Sequence, residues 1–197
     1  MLQGVHPSVK AAETHKVLRA SLGPTLEAAG FTRDTGSAAG WRRAETDGTL
    51  LLKTQLSQSN WDPHTGGKFT IELQFGAAAT PRDGHRRRVG GYVSDDERQK
   101  WLRIRNSVAA RAHKPSPAFP SAFPASLAPT FLQNFEPMTV LHPSSDLWFP
   151  YLSADDVSAW GAFLAGMLPR AVELFLVEAR RRATAARSQQ PRSKSDE

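Results

Sequence analysis

The sequence predicts an α+β fold: a small antiparallel β-sheet of three to five strands, covered on one face by N-terminal and C-terminal helices. Three observations predict it. Residues 49–59 and 68–76 alternate with period two and are separated by turn-rich segments. Residues 8–29 carry an apolar stripe at helical spacing, and so do residues 153–179. The helix-start signals at Ser94 and Ser153 have acids in the turn that follows.

The first helix is expected over 8–29. Val9, Ala12, Val17, Leu18, Leu22, Leu26 and Ala29 make its stripe, and Gly30 suits the C′ position. Pro24 lies inside the stripe, so a kink or two shorter helices are expected. Phe31 and Trp41 then flank a short hairpin, and Asp47-Gly48 reads as a two-residue turn. In the next strand Leu50, Leu52, Thr54 and Leu56 share one face, and Leu51, Lys53, Gln55 and Ser57 the other. In the strand after it, Phe69, Ile71, Leu73 and Phe75 point inward and Thr70, Glu72 and Gln74 outward. Residues 41–76 are thus a three-stranded meander with one face to be covered.

Residues 77–93 are expected to be a loop holding Arg86, Arg87 and Arg88. Ser94 with Glu97 has capping-box spacing and opens a helix running to about Arg111. Residues 115–150 carry eight prolines and cannot be helical throughout. They read as an irregular, proline-rich insert at about 115–145, with a short strand near Met138–Leu141. Ser153 starts the last helix, whose stripe runs from Val157 to Leu176. Pro169 is expected to break or kink it near Leu168. One domain over 1–182 is expected, with residues 183–197 a disordered polar tail.

The chain has 197 residues, 40% of them apolar, which is enough for a core at this length. It contains no cysteine, which excludes disulfide scaffolds, thiolate zinc sites and cysteine nucleophiles. No unbroken apolar run approaches the ~18 residues of a membrane span, and the N-terminus has no secretory pattern. A soluble, cytoplasmic, bacterial-type protein is expected. The net charge of +6 is uneven. Residues 82–114 hold ten basic and four acidic side chains, whereas residues 115–177 hold one and five. General affinity for nucleic acid is therefore not expected.

The order of elements and several short motifs resemble the bacterial domain-of-unknown-function family 4304. They are Gly30-Phe31, Trp41-Arg42-Arg43, Gln55-Leu56-Ser57 leading to Trp61, Phe69-Thr70-Ile71 to Gly76, and Asp146-Leu147-Trp148-Phe149 before the last helix. The resemblance spans roughly residues 10–112 and 144–178. Gln74 stands where the family pattern has Asn, and the spacing from Gln55 to Trp61 is two residues longer. The resemblance implies an α+β domain and no particular activity.

Candidate sites follow from residue chemistry. Gln55, Ser57 and Ser59, ending at Trp61, put an amide, hydroxyls and an indole on one strand face, which suits hydrogen bonding and stacking. Such alternation is equally what the solvated face of any antiparallel strand carries. Arg42 and Arg43 with Arg86, Arg87 and Arg88 suit a carboxylate or phosphate; a solvated arginine loop has the same composition. Arg103, beside Trp101 and Ile104, is a further candidate ligand-binding residue, and a structural pair with a buried acid is the competing reading. Arg180, Arg181 and Arg182 suit a helix C-terminus.

Other chemistry is not supported. The histidines are scattered, with no His-Glu-x-x-His, and no Gly-x-Ser-x-Gly occurs. Gly66-Gly67-Lys68 fails as a phosphate loop because Phe69 stands where Ser or Thr must bind magnesium. Asp62, His64 and Thr65 have turn composition. The acids at 95–97 and 155–156 suit helix starts better than paired catalysis. No catalytic residue, metal or cofactor is expected. The leading expectation is a non-enzymatic module that holds a protein or a small anionic partner on the polar sheet face. The alternatives are an enzyme clamping a phosphorylated or nucleic-acid substrate with arginines, and a toxin-neutralising partner protein.

Overall fold

The computed structural model describes residues 8–35, 40–57, 65–112, 136–141 and 146–189. The order of elements is α1 (Ala11–Ala28), β1 (Thr32–Arg33), β2 (Gly40–Glu45), β3 (Gly48–Leu56), β4 (Gly67–Gly76), β5 (His85–Arg88), α2 (Asp95–Arg111), β6 (Phe149–Tyr151) and α3 (Ala154–Gln189). The sheet is antiparallel and six-stranded, in the order β1-β2-β3-β4-β5, with β6 also paired to β4. The fold is the expected α+β arrangement. The meander forms as expected, and three short strands extend it.

The cross-strand register sorts the side chains. One face carries the rows Trp41–Leu52–Leu73–Arg87 and Arg43–Leu50–Phe75–His85. Phe69 and Phe149 form a further pair on it. Helices α1 and α3 cover this face and bury Leu18, Leu22, Leu26, Leu164, Leu168 and Phe175 completely or nearly so. An aromatic cluster fills the end nearest β6. Phe149 lies 5.2 Å from both Phe69 and Trp160, and Trp160 lies 6.0 Å from Trp101.

Local signals explain most boundaries. Helix α1 ends in a Schellman motif, with Gly30 N–H bonded to Glu27 O and Phe31 N–H to Leu26 O. Gly30 takes the left-handed conformation this motif requires, at φ 81°. The capping box at α2 is complete: Glu97 N–H donates to Ser94 Oγ, and Ser94 N–H donates to Glu97. Asp156 repeats the device at α3, bonding the Ser153 and Leu152 amides while its own amide donates to Ser153 Oγ.

Five expectations change. Neither Pro24 nor Pro169 breaks its helix, because each proline is exposed while the flanking turns are held in the core. The arginine triplet is strand β5 rather than loop. Residues 138–141 form no strand; Asn106 instead satisfies Met138 through both main-chain groups, at 2.9 and 2.8 Å. The two-residue turn is Thr46-Asp47, one residue earlier than expected, and Gly48 opens β3 opposite Glu45. Gly48 is small because a Cβ there would stand 2.4 Å from the Gly76 carbonyl. The last helix extends through residues 183–189, where the polar composition predicts a tail.

Ala154–Ala186 is long and apolar enough to cross a membrane by length and composition, although its apolar residues are not one unbroken run. Half of its most apolar window is buried inside the fold.

Helix α3 crosses α1 where Gly161 faces Ser21. A Cβ at Gly161 would stand 2.4 Å from the Ser21 Cβ, a backbone-fixed atom that cannot rotate away. Gly161→Ala is therefore expected to force the helices apart and lower stability by about 3 kcal/mol, the upper range for overpacking. Urea denaturation with an unchanged m-value checks this.

The Glu97 cap carries a pH dependence. Burial raises its pKa, but the Ser94 hydrogen bonds and the Arg170 guanidinium outweigh this and hold it below the usual glutamate range. A carboxyl depressed on folding contributes stability that is present above its unfolded pKa and lost as pH falls through the folded one. The stability difference between the native chain and Glu97→Gln is thus expected to shrink as pH drops below about 4.3. Denaturation at pH 7 and at pH 3 measures it.

Candidate functional site

The second face of the sheet, away from α1 and α3, is where the unneutralised charge gathers. Its rows are Lys53–Glu72–Arg88 and Arg42–Leu51–Gln74–Arg86. Gln55 faces Thr70, and Lys68 faces Pro150. This face is not uniformly open. Leu51, Thr70 and Gln74 are buried. The turn at Pro81–Asp83 packs against β3 and β4, and Thr70 donates to the Leu147 carbonyl at 2.8 Å. What stays accessible is a rim of cations around that covered centre.

Hydrogen bonds tie the rim together. Lys53 Nζ donates to Gln74 Oε1 at 3.2 Å, Gln74 Nε2 donates to Glu72, and Arg86 Nε lies 3.6 Å from Glu72. Glu72 and Gln74 thus stand between two cations and keep their charges from closing on each other. Partial burial, and after it the Arg82 and Arg86 guanidiniums, hold the Lys53 ammonium below the usual lysine range, against the pull of Glu72 and Asp34. Positive charge here exceeds what the nearby carboxylates neutralise.

An aromatic ring borders the same rim. Half-buried Trp148, on the segment leading into β6, has Arg88 Cζ 5.0 Å and Lys68 Nζ 5.4 Å from its ring centroid. Arg88 also pairs with the exposed Asp146.

The sequence-predicted residues separate in the fold. Gln55 is exposed and Ser57 half-buried on this face, and the Ser57 amide continues the ladder to Lys68 O at 2.9 Å. Ser59 and Trp61 lie outside the described residues, and so do Asp62 and His64. Arg86 and Arg88 join the face. Arg87 does not, because strand alternation turns it to the helix side. Arg43 is also on the helix side, where it bonds Glu45, Glu173 and the Ala29 carbonyl at the end of α1. Arg103 lies exposed on α2, apart from the sheet, and the buried guanidinium of that helix is Arg105, which donates to the Glu136 carbonyl.

On the helix side the cations have built-in partners. Glu178 accepts from Tyr92 Oη at 2.6 Å, from Arg87 at 3.3 Å and from Arg182 at 3.0 Å, with His85 Nε2 at 3.3 Å. Burial raises the Glu178 pKa, but the Tyr92 bond and the His85, Arg87 and Arg182 charges bring it below the usual range. Burial first, and then the same bond, push the Tyr92 hydroxyl well above the ordinary tyrosine range. Arg180 pairs with Asp47 and Glu45. Arg180 therefore ties α3 to the sheet, Arg182 pairs within α3, and the helix runs on to Gln189 instead of ending at the triplet as expected.

Lys53, Lys68, Glu72, Gln74 and Trp148 belong to the site without having been singled out from sequence. The alternation that put Gln55 on the polar face also put Lys53, Glu72 and Gln74 there. Trp148 had no such signal, because its place depends on β6 pairing with β4 across more than 70 residues. Among the described residues, no group of three or more His, Asp or Glu side chains could hold a metal ion. A cavity of about 120 Å³ lies elsewhere, between α1 and α3, lined by Leu26, Phe31, Leu168 and Val172, with the Arg43–Glu173 pair at its rim. That rim charge is already paired at 3.0 Å.

Comparison with family models, with curated proteins and with solved structures finds no match.

Proposed function

We propose that this chain is a non-enzymatic binding module that holds an anionic partner on the second face of its sheet. The observation that carries this is the gathering of Arg42, Lys53, Lys68, Arg82, Arg86 and Arg88 around one face, against Glu72, Asp34 and Asp146. On the helix side, by contrast, Arg43, Arg87, Arg180 and Arg182 each meet a carboxylate of the fold. The surroundings of Lys53 support the same reading: burial first, and then the Arg82 guanidinium, disfavour its charge, and a bound anion would favour it. Trp148 adds an apolar surface beside the charge.

The resemblance to family 4304 is carried by short motifs alone, with no family model matching the chain, and adds no activity to this reading.

Fluorescence anisotropy with labelled polyglutamate and with labelled inorganic polyphosphate tests the proposal. Binding is expected at low ionic strength and is expected to weaken steadily as salt rises. Absence of binding to either polyanion at low salt would remove the reading.

A further inference from the structure

We infer that β5 is a docking edge, to which an extended acidic segment of a partner protein adds as a further strand. This rests on the anion-binding reading above and names the partner. β5 is the last strand in the path β1 to β5, and its four residues pair with β4 on one side. A strand in that position directs alternate N–H and C=O groups outward on its other side. Among the described residues, none of the main-chain bonds outside helices and strands involves residues 85–88.

The side chains of β5 select what can pair with it. Arg86 and Arg88 stand two residues apart on the cationic face, with 56% and 31% of their side chains exposed. An incoming strand repeats its own side chains at the same spacing. Carboxylates at alternate positions therefore fall opposite or diagonal to Arg86 and Arg88, within reach of cross-strand pairing. Lys53, two strands in along the Arg88 row and beyond Glu72, extends the attraction. A second copy of this chain is disfavoured, because two β5 strands would place arginine against arginine. The arginines that discourage self-pairing thus favour an acidic strand. Main-chain bonds supply affinity and the arginines supply the choice of partner.

The test uses the full chain and three labelled probes. One is a seven-residue peptide alternating glutamate with threonine or valine. The second has the same sequence with alternate backbone amides N-methylated. The third is inorganic polyphosphate. The unmethylated peptide is expected to bind, to slow amide exchange within residues 85–88, and to bind at least 10-fold more tightly than the methylated one. Arg86→Ser, at an exposed position, is expected to weaken peptide binding at least 10-fold without altering thermal melting. Equal affinity for the two peptides, or binding of polyphosphate alone, overturns strand addition and leaves the anion-binding reading standing. Binding of none of the three overturns both.

Discussion

Trp160→Ala is expected to lower stability by about 4 kcal/mol, the range for removing a large buried aromatic ring. Trp160 is fully buried and joins three parts of the molecule. Its ring lies 5.2 Å from Phe149 of β6, 6.0 Å from Trp101 of α2 and 5.9 Å from Phe163 of its own helix. Its indole N–H donates to the Pro150 carbonyl at 2.6 Å. Truncation therefore empties a large volume and leaves a carbonyl without its partner, and the two costs act together. For a chain of this size the melting temperature is expected to fall by roughly 8–16 °C. Trp148→Ala provides the contrast. Trp148 is only half-buried, so a much smaller loss of stability is expected. Calorimetry of both variants measures the difference, and equal losses would contradict the packing described.

Arg86→Glu/Arg88→Glu is expected to weaken polyanion binding by at least 100-fold while leaving the fold intact. Both side chains are solvent-accessible, and their carboxylate neighbours Glu72 and Asp146 line the same rim. Reversal changes the local charge by four units and leaves Glu72 among like charges, so repulsion replaces attraction. The effect is expected to be greatest at low salt and to narrow as salt rises. Anisotropy titrations across salt concentrations, with circular dichroism to verify folding, check it. Arg103→Glu, on α2, is expected to change binding by less than threefold under the same conditions.

The fold was largely legible in the sequence because its signals are local. The alternation of Phe69, Ile71, Leu73 and Phe75, the capping pairs Ser94–Glu97 and Ser153–Asp156, and Gly30 after α1 each act within a few residues. The misreadings have non-local causes. Pro24 and Pro169 look like breaks until packing shows both sides of each helix anchored. The Arg86–Arg88 run looks like a loop because three arginines have no apolar alternation, yet pairing with Glu72–Phe75 makes it a strand. Gly48 looks like a turn glycine, although the constraint comes from Gly76 on a different strand.

The site was half legible for the same reason. Period two placed Gln55 and Lys53 on one face, and the arginine triplet marked a concentration of charge. Only the β4–β5 register shows that Arg86 and Arg88 share that face and that Arg87 leaves it for Glu178. Arg103 followed a helix pattern that fits Arg105 equally well; the second is buried because the Glu136 segment crosses it.

The most direct measurement is an NMR titration of the full chain with polyglutamate, following backbone amides and the tryptophan indoles. The account expects shifts concentrated at Lys53, Lys68, Glu72, Gln74, Arg86 and Arg88, together with the Trp148 indole. Shifts centred instead on α2 around Arg103, or on α3 around Arg181, would contradict it.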